Sequence, residues 1–344
     1  MKPFPFLAMA LAIAAAVEPA PDWGDTKDEW AGSAGFETSK AVCRKLRGRE
    51  PPASDRPDAA TAASLRGCDS EALYYGIGMP SDPVRARQCA FLEADGGNGE
   101  VFAGRTMLMT IYANGYGAKR DLDVATHLAC GLDGAAMESH GRVSHLAELK
   151  AKGWTRQDFH YCDDITSGLA MGWCASHQAN IDGATRESEL KARTRGWSAA
   201  ERRAFDRARQ AHEAYVEAHG SGEVDLSGTA RGAMVVEAEE AVRDQFTMRL
   251  GSLSGRYRPS GGAAAYEAAD SKLNAAYRQL MRDTLPSESP GAVTREGIRD
   301  AQRAWLRYRD AFLAFAAVKF PKIDRRGLAA RLTEQRTETL APAE

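Results

Sequence analysis

Toward the C-terminus the apolar residues fall at helical spacing. Ile298, Ala301, Trp305, Tyr308, Phe312 and Phe315 are separated by 3, 4, 3, 4 and 3 positions, which places them along one face of an α-helix. Tyr266, Ala269, Leu273, Ala276 and Leu280 carry the same stripe upstream, and Ala238, Val242, Phe246 and Leu250 carry it earlier still. Ser198 with Glu201 forms a capping box that opens a helix over 201–218. No stretch alternates apolar and polar residues over the length of a strand. The pattern predicts an all-α chain.

Two internal repeats organise it. The segment GIGMPSDPVRARQCA begins at Gly76 and GYGAKRDLDVATHLA at Gly115, 39 residues later, aligning Gly78 with Gly117, Asp82 with Asp121 and Ala86 with Ala125. Glycine supplies a turn, aspartate caps the next helix and alanine lets helices approach, so each copy predicts a helix-turn-helix unit. Further on, FDRARQAHEAY (205–215) and IRDAQRAWLRY (298–308) lie 93 residues apart and align Ala208 with Ala301, His212 with Trp305, and Tyr215 with Tyr308. Each is followed by an arginine-bearing helical stretch, around Arg243 and Arg336. Residues 44–66, rich in Pro, Ala and charge, predict a loop or weakly ordered connector, and Gly251–Gly262 a flexible one.

Composition sets the class. Of 344 residues 44% are hydrophobic and 27% charged, as in a soluble globular chain of about two domains. Lys plus Arg (45) nearly balances Asp plus Glu (47), which excludes a protein built mainly to hold nucleic acid. Lys2, the apolar run Leu7–Val17 and the small residues that follow read as a signal peptide over 1–20. The run is too short to cross a bilayer, and no cysteine before Cys43 could carry a lipid anchor. The mature chain is therefore expected in the periplasm or outside the cell, with no transmembrane anchor. Cys43, Cys68, Cys89, Cys130, Cys162 and Cys174 then read as disulfide partners, with 15 possible connectivities. All six lie between 43 and 174, leaving the last 170 residues unstapled.

Two stretches carry residue types of metal-binding or catalytic motifs. His160, Cys162, Cys174 and His177 have the residue types of a structural zinc set. In an exported chain the favoured reading is a Cys162–Cys174 disulfide with two solvent-exposed histidines. Ser188-x-x-Lys191 is not followed by the Lys-Thr-Gly that a penicillin-binding enzyme needs. The expectation is a non-enzymatic protein with no metal and no cofactor.

Two resemblances sharpen the picture. Ile111–Cys130 (IYANGYGAKRDLDVATHLAC) resembles the Sel-one-like repeat, a relative of tetratricopeptide units. AADSKLNAAYRQL followed by AQRAWLRYRDAF resembles the LprI-type lysozyme-inhibitor N-terminal domain, through Asp270, Leu273, Asn274, Tyr277, Ala301, Gln302, Trp305, Arg309 and Asp310, with Arg336 and Leu340 in the closing helix. Cys162–Leu250 resembles a more diverged copy. Family members usually carry cysteines around the motif. The last copy has none, and Phe312 stands where one often follows. The resemblances imply this order: signal peptide 1–20, N-terminal segment and connector 21–66, Sel-one-like repeats 67–150, diverged LprI-like module 160–250, linker 251–264, and LprI-like module 265–340.

The implied partner is a protein: a lysozyme-like cell-wall hydrolase or a periplasmic toxin, with an envelope scaffold and an unrecognised enzyme as alternatives. Residues 265–344 hold 14 Lys plus Arg against 11 Asp plus Glu. That excess runs against an acidic inhibitor steering onto a basic lysozyme, although Asp163-Asp164 or Glu237–Glu240 could supply acidity. Asp270, Asn274, Tyr277, Gln302, Trp305, Tyr308, Arg309 and Asp310 are the candidate interaction residues. Of these, Trp305 and Tyr308 read as core, and Asn274, Gln302, Arg309 and Asp310 as hydrogen bonds joining three helices.

Overall fold

The computed structural model describes residues 22–27, 33–97, 99–255, 258–284, 286–287 and 289–341. Among them are thirteen α-helices and no strand, so the chain is all-α as its periodicity predicts. The segment read as a signal peptide lies outside the described residues.

The first half is a stack of short helices. These are α1 (Glu37–Leu46), α2 (Ala59–Ser64), α3 (Ser70–Tyr75), α4 (Pro83–Gly96), α5 (Gly104–Asn114), α6 (Leu122–Cys130) and α7 (Ala136–Ala151). The 39-residue repeat is one turn made twice. Gly76 and Gly115 end α3 and α5 at φ +76° and +64°, left-handed backbone that only glycine adopts freely. Asp82 and Asp121 then cap α4 and α6 by accepting from backbone N–H groups of their first turns. Each helix from α3 to α7 packs on the next, and α1 folds back across α6 and α7. Met107, Met109, Ile111, Tyr112, Val143 and Leu146 lie in the shared core.

Two disulfides brace this half, Cys43–Cys130 and Cys68–Cys89, and a third, Cys162–Cys174, ties the turn that follows it to the next helix. The reading of 44–66 as weakly ordered is corrected here. Tyr112 Oη donates to Asp55 Oδ2 (2.7 Å) and Arg87 Nε to the Asp55 carbonyl (3.1 Å). The partners that order this polar stretch lie on α5 and α4, distant in sequence.

Six longer helices make the second half: α8 (Gly168–Thr194), α9 (Ala199–Gly222), α10 (Arg231–Ser254), α11 (Gly262–Asp283), α12 (Arg295–Lys319) and α13 (Arg325–Leu340). The Ser198–Glu201 box is present: Ser198 N–H donates to the Glu201 carboxylate (2.7 Å) and Glu201 N–H to Ser198 Oγ (3.3 Å). α10 runs on through Ser254, because Leu250 and Leu253 are buried. The flexible connector read over Gly251–Gly262 is therefore shorter than the sequence suggests.

Sequence neighbours are not the main packing partners. α8 lies along α10, α11 along α13, and α9 along α12. The last pair is antiparallel. Glu201 at the start of α9 meets Lys319 at the end of α12 (3.0 Å), and at the opposite end Gly222 abuts Gly297. A Cβ on Gly222 would lie 2.6 Å from the Gly297 carbonyl oxygen, and one on Gly297 would lie 2.7 Å from Gly222 Cα. Only glycine permits that approach. Phe205, Val216, Phe246, Trp305, Phe312, Phe315 and Leu332 fill one core drawn from α9, α10, α12 and α13.

Candidate functional site

The duplicated helices α9 and α12 place their aligned tyrosines against each other. The Tyr215 and Tyr308 rings are stacked, with centroids 5.9 Å apart and planes 3° from parallel. Arg336 on α13 donates to Tyr215 Oη (3.1 Å), and Arg249 on α10 donates to Tyr308 Oη. The hydroxyl from one triplet of helices is thus held by an arginine of the other. Burial holds both phenols above their ordinary pKa. The sequence placed Arg243 as the counterpart of Arg336. The structure gives that role to Arg249, one and a half turns later, and Arg243 instead pairs with Glu213, Glu239 and Glu240.

Arg336 is the centre of a buried network. Its side chain is 0% exposed, and its two Nη atoms grip both oxygens of Glu223, itself 6% exposed. Nε donates to Gln302 Oε1 at 2.9 Å, and Glu223 also accepts from His219 (2.9 Å). Although burial opposes the charged form, the His219 and Arg336 contacts hold the Glu223 carboxyl below its usual range. Sequence reasoning missed Glu223, since 113 residues separate it from Arg336.

The candidate residues divide in two. Trp305 and Tyr308 are buried in the core, Gln302 is tied to Arg336, and Tyr277 packs against the core edge. Arg309 stacks on Trp305 (5.3 Å) and reaches Tyr266 Oη on α11 (3.3 Å), so it does join two helices. Asn274 and Asp310 do not. Asn274 bonds Asp270 on its own helix (2.9 Å), and among the described residues Asp310 accepts from its neighbour Arg309 alone (2.9 Å). Asn274 and Asp310 are exposed and Asp270 is half-exposed. Arg309→Ala is expected to cost about 1 kcal/mol, the scale of a lost stack and hydrogen bond, read as a small shift in the urea midpoint.

Where α12 carries Trp305, α9 carries the smaller His212, and beside it a cleft of about 390 Å³ opens between α8, α9 and α10. Its walls hold their own charges. Arg209 pairs with Glu187 (2.9 Å), Arg243 with Glu213 (3.1 Å) and Glu240 (2.8 Å), and Arg186 with Glu240 and Asp244. The His212 ring and the Arg243 guanidinium pull the Glu213 carboxyl down to about 2. Residues 160–250 do hold 15 Asp plus Glu against 11 Lys plus Arg, but the acids singled out from the sequence are mostly engaged internally. Asp163 accepts from His160 N–H, Asp164 from His145, and Glu239 and Glu240 pair with Arg243.

Cys162 and Cys174 are bonded, as expected. The flanking histidines are not solvent-exposed, which corrects the sequence reading. His177 is 2% exposed, stacked on Phe102 at 4.0 Å, and its Nε2 lies 3.0 Å from His160 Nε2. Their partner Glu71, on α3, carries no sequence signal.

Comparison with known proteins gives one match. The family model described as Lysozyme inhibitor LprI matches residues 262–340. No curated protein and no solved structure matches the chain. The matched span contains α11, α12 and α13 complete, together with the Gln302–Arg336 bond and the Trp305 core. Over these three helices the chain is similar to the LprI family.

Proposed function

We propose that this is an exported, non-enzymatic protein-binding protein whose LprI-type domain engages a cell-wall hydrolase of the lysozyme class. The match over 262–340 carries the reading. Three disulfides support placement outside the reducing cytosol. No described helix is long and apolar enough to cross a membrane. In this reading α8–α10 form a diverged second copy, and α3–α6 form two Sel-one-like units. The face offered to the partner is the outer side of α11 and α12, where Asp270, Asn274 and Asp310 are the motif residues that core packing does not use.

The test is a lysis assay with the mature, oxidised chain and lysozyme at near-equal molar ratio. Slowed lysis is the expected result. The triple variant Asp270→Ala, Asn274→Ala, Asp310→Ala is expected to keep its melting temperature within about 2 °C, as surface changes do, and to lose inhibition. Full inhibition by this variant would remove the face from the proposal. An envelope scaffold is the second reading, favoured by Met79 and Tyr116, which remain exposed beside the repeated turns. A scaffold would retain envelope proteins on an affinity column and leave lysis unchanged.

A further inference from the structure

Buried His177 and half-buried His160 and Glu71 form a chain of polar groups between α3 and the start of α8, with protons fixed by geometry. Cys162 N–H donates to His160 Nδ1 (3.1 Å), so that nitrogen carries no proton, and the neutral ring carries its proton on Nε2. His160 Nε2–H then faces His177 Nε2 at 3.0 Å and donates to it. His177 in turn bears its proton on Nδ1 and donates it to the Glu71 carboxylate. Each link requires the one before it, and the order is His160 to His177 to Glu71.

These groups come from three places. Glu71 lies on α3 in the disulfide-bearing half, His160 caps the short turn Tyr161–Asp164, and His177 lies on α8, which leads into the helical half. The ionisable neighbours are few. Tyr75 of α3 sets its ring edge-on to His177 (4.6 Å), and Asp163 accepts from His160 N–H (2.8 Å). Glu237 of α10 lines, with both histidines, a cleft of about 380 Å³. Phe102 covers His177 from the remaining side.

We propose that Glu71, His177 and His160 form a proton-sensitive latch that clasps α3 to the start of α8 and opens on acidification. The chain has no vacant place for another imidazole proton. A proton on His177 Nε2 would set one N–H against another and break the link to His160. A proton on His160 Nδ1 would face Cys162 N–H and undo the cap of the turn. Burial and the adjacent His177 accordingly hold His160 down to about 4. The unfolded chain takes up that proton near 6.5 while the folded chain does not. The latch is therefore fully made above about pH 6.5 and loses stability as the pH falls toward 4. The Cys162–Cys174 bridge stays closed throughout, so opening swings the turn and the first helical turns of α8 together.

Ring-nitrogen NMR on the full-length oxidised protein tests this directly. At pH 7 the expected tautomers are Nε2–H for His160 and Nδ1–H for His177, with neither shifted by one equivalent of zinc. Between pH 6.5 and 4, amide protection over residues 160–177 is expected to fall at least tenfold, corrected for intrinsic exchange, while that of α12 holds. His160→Gln should abolish this pH dependence, because the amide replaces the ring that must take up the proton and has no charged form in this range. Reversed tautomers, zinc-shifted rings, or ordinary titration near 6.5 with protection intact would each overturn the latch. Should the variant fail to fold, the wild-type tautomers and exchange still decide.

Discussion

Replacing Arg336 by alanine is expected to destabilise the helical half by about 3–5 kcal/mol, the range for removing one partner of a buried ion pair. The reason lies in what stays behind. Glu223, 6% exposed, would keep its charge with only His219 to answer it. Tyr215 Oη and Gln302 would lose their donor in the same step. At about 2–4 °C per kcal/mol for a unit of this size, the melting temperature should fall by about 10 °C. Arg336→Lys should recover little, since an ammonium cannot span both carboxylate oxygens and reach Gln302 as the planar fork does. Thermal unfolding followed by circular dichroism checks both variants. A fall of less than 3 °C for the alanine variant would mean that the network relaxes onto water.

Cys43→Ala with Cys130→Ala is expected to cost about 4 kcal/mol, and the loss should be confined to the first half. The bridge closes a sequence separation of 87, against 21 and 12 for the other two, and loop-closure entropy grows with the logarithm of that length. Both cysteines are 0% exposed in the core, so the double change also removes packing between α1 and α6. The second half has its own core and no cysteine beyond Cys174. Unfolding should therefore split into two transitions: an early one that moves with the mutation or with added dithiol, and a later one that does not. A single transition shifted as a whole would show that the halves unfold as one unit. Arg336→Ala should move the later transition.

These expectations mark how far local sequence reaches. The stripe from Ile298 to Phe315 is wholly buried, because a period near 3.6 is a property of the segment itself. The Ser198–Glu201 box and the aspartate caps after each Gly-x-Gly turn are likewise closed within four residues. Cys162–Cys174 was legible because 12 residues separate the two cysteines. Cys43–Cys130 was not, since nothing local distinguishes it among 15 connectivities. The polar stretch at 44–66 misleads for the same reason, being ordered by Tyr112 and Arg87 from other helices.

By itself, the sequence determined the helical periods, their buried faces, the repeated pattern shared by α9 and α12, and the stretch that resembles the LprI family. It could not determine that α9 packs on α12 rather than on its own neighbours. That pairing brings together residues far apart in the chain, Glu201 with Lys319, Tyr215 with Tyr308 and Gly222 with Gly297. Nor could it show that His177 is locked between Phe102 and Glu71 with His160 bonded to it, or that Arg249 rather than Arg243 answers Arg336. Secondary structure follows from periods and caps that a short segment contains. Burial, ion pairing and proton placement follow from which surfaces meet, and only the folded chain brings those surfaces together.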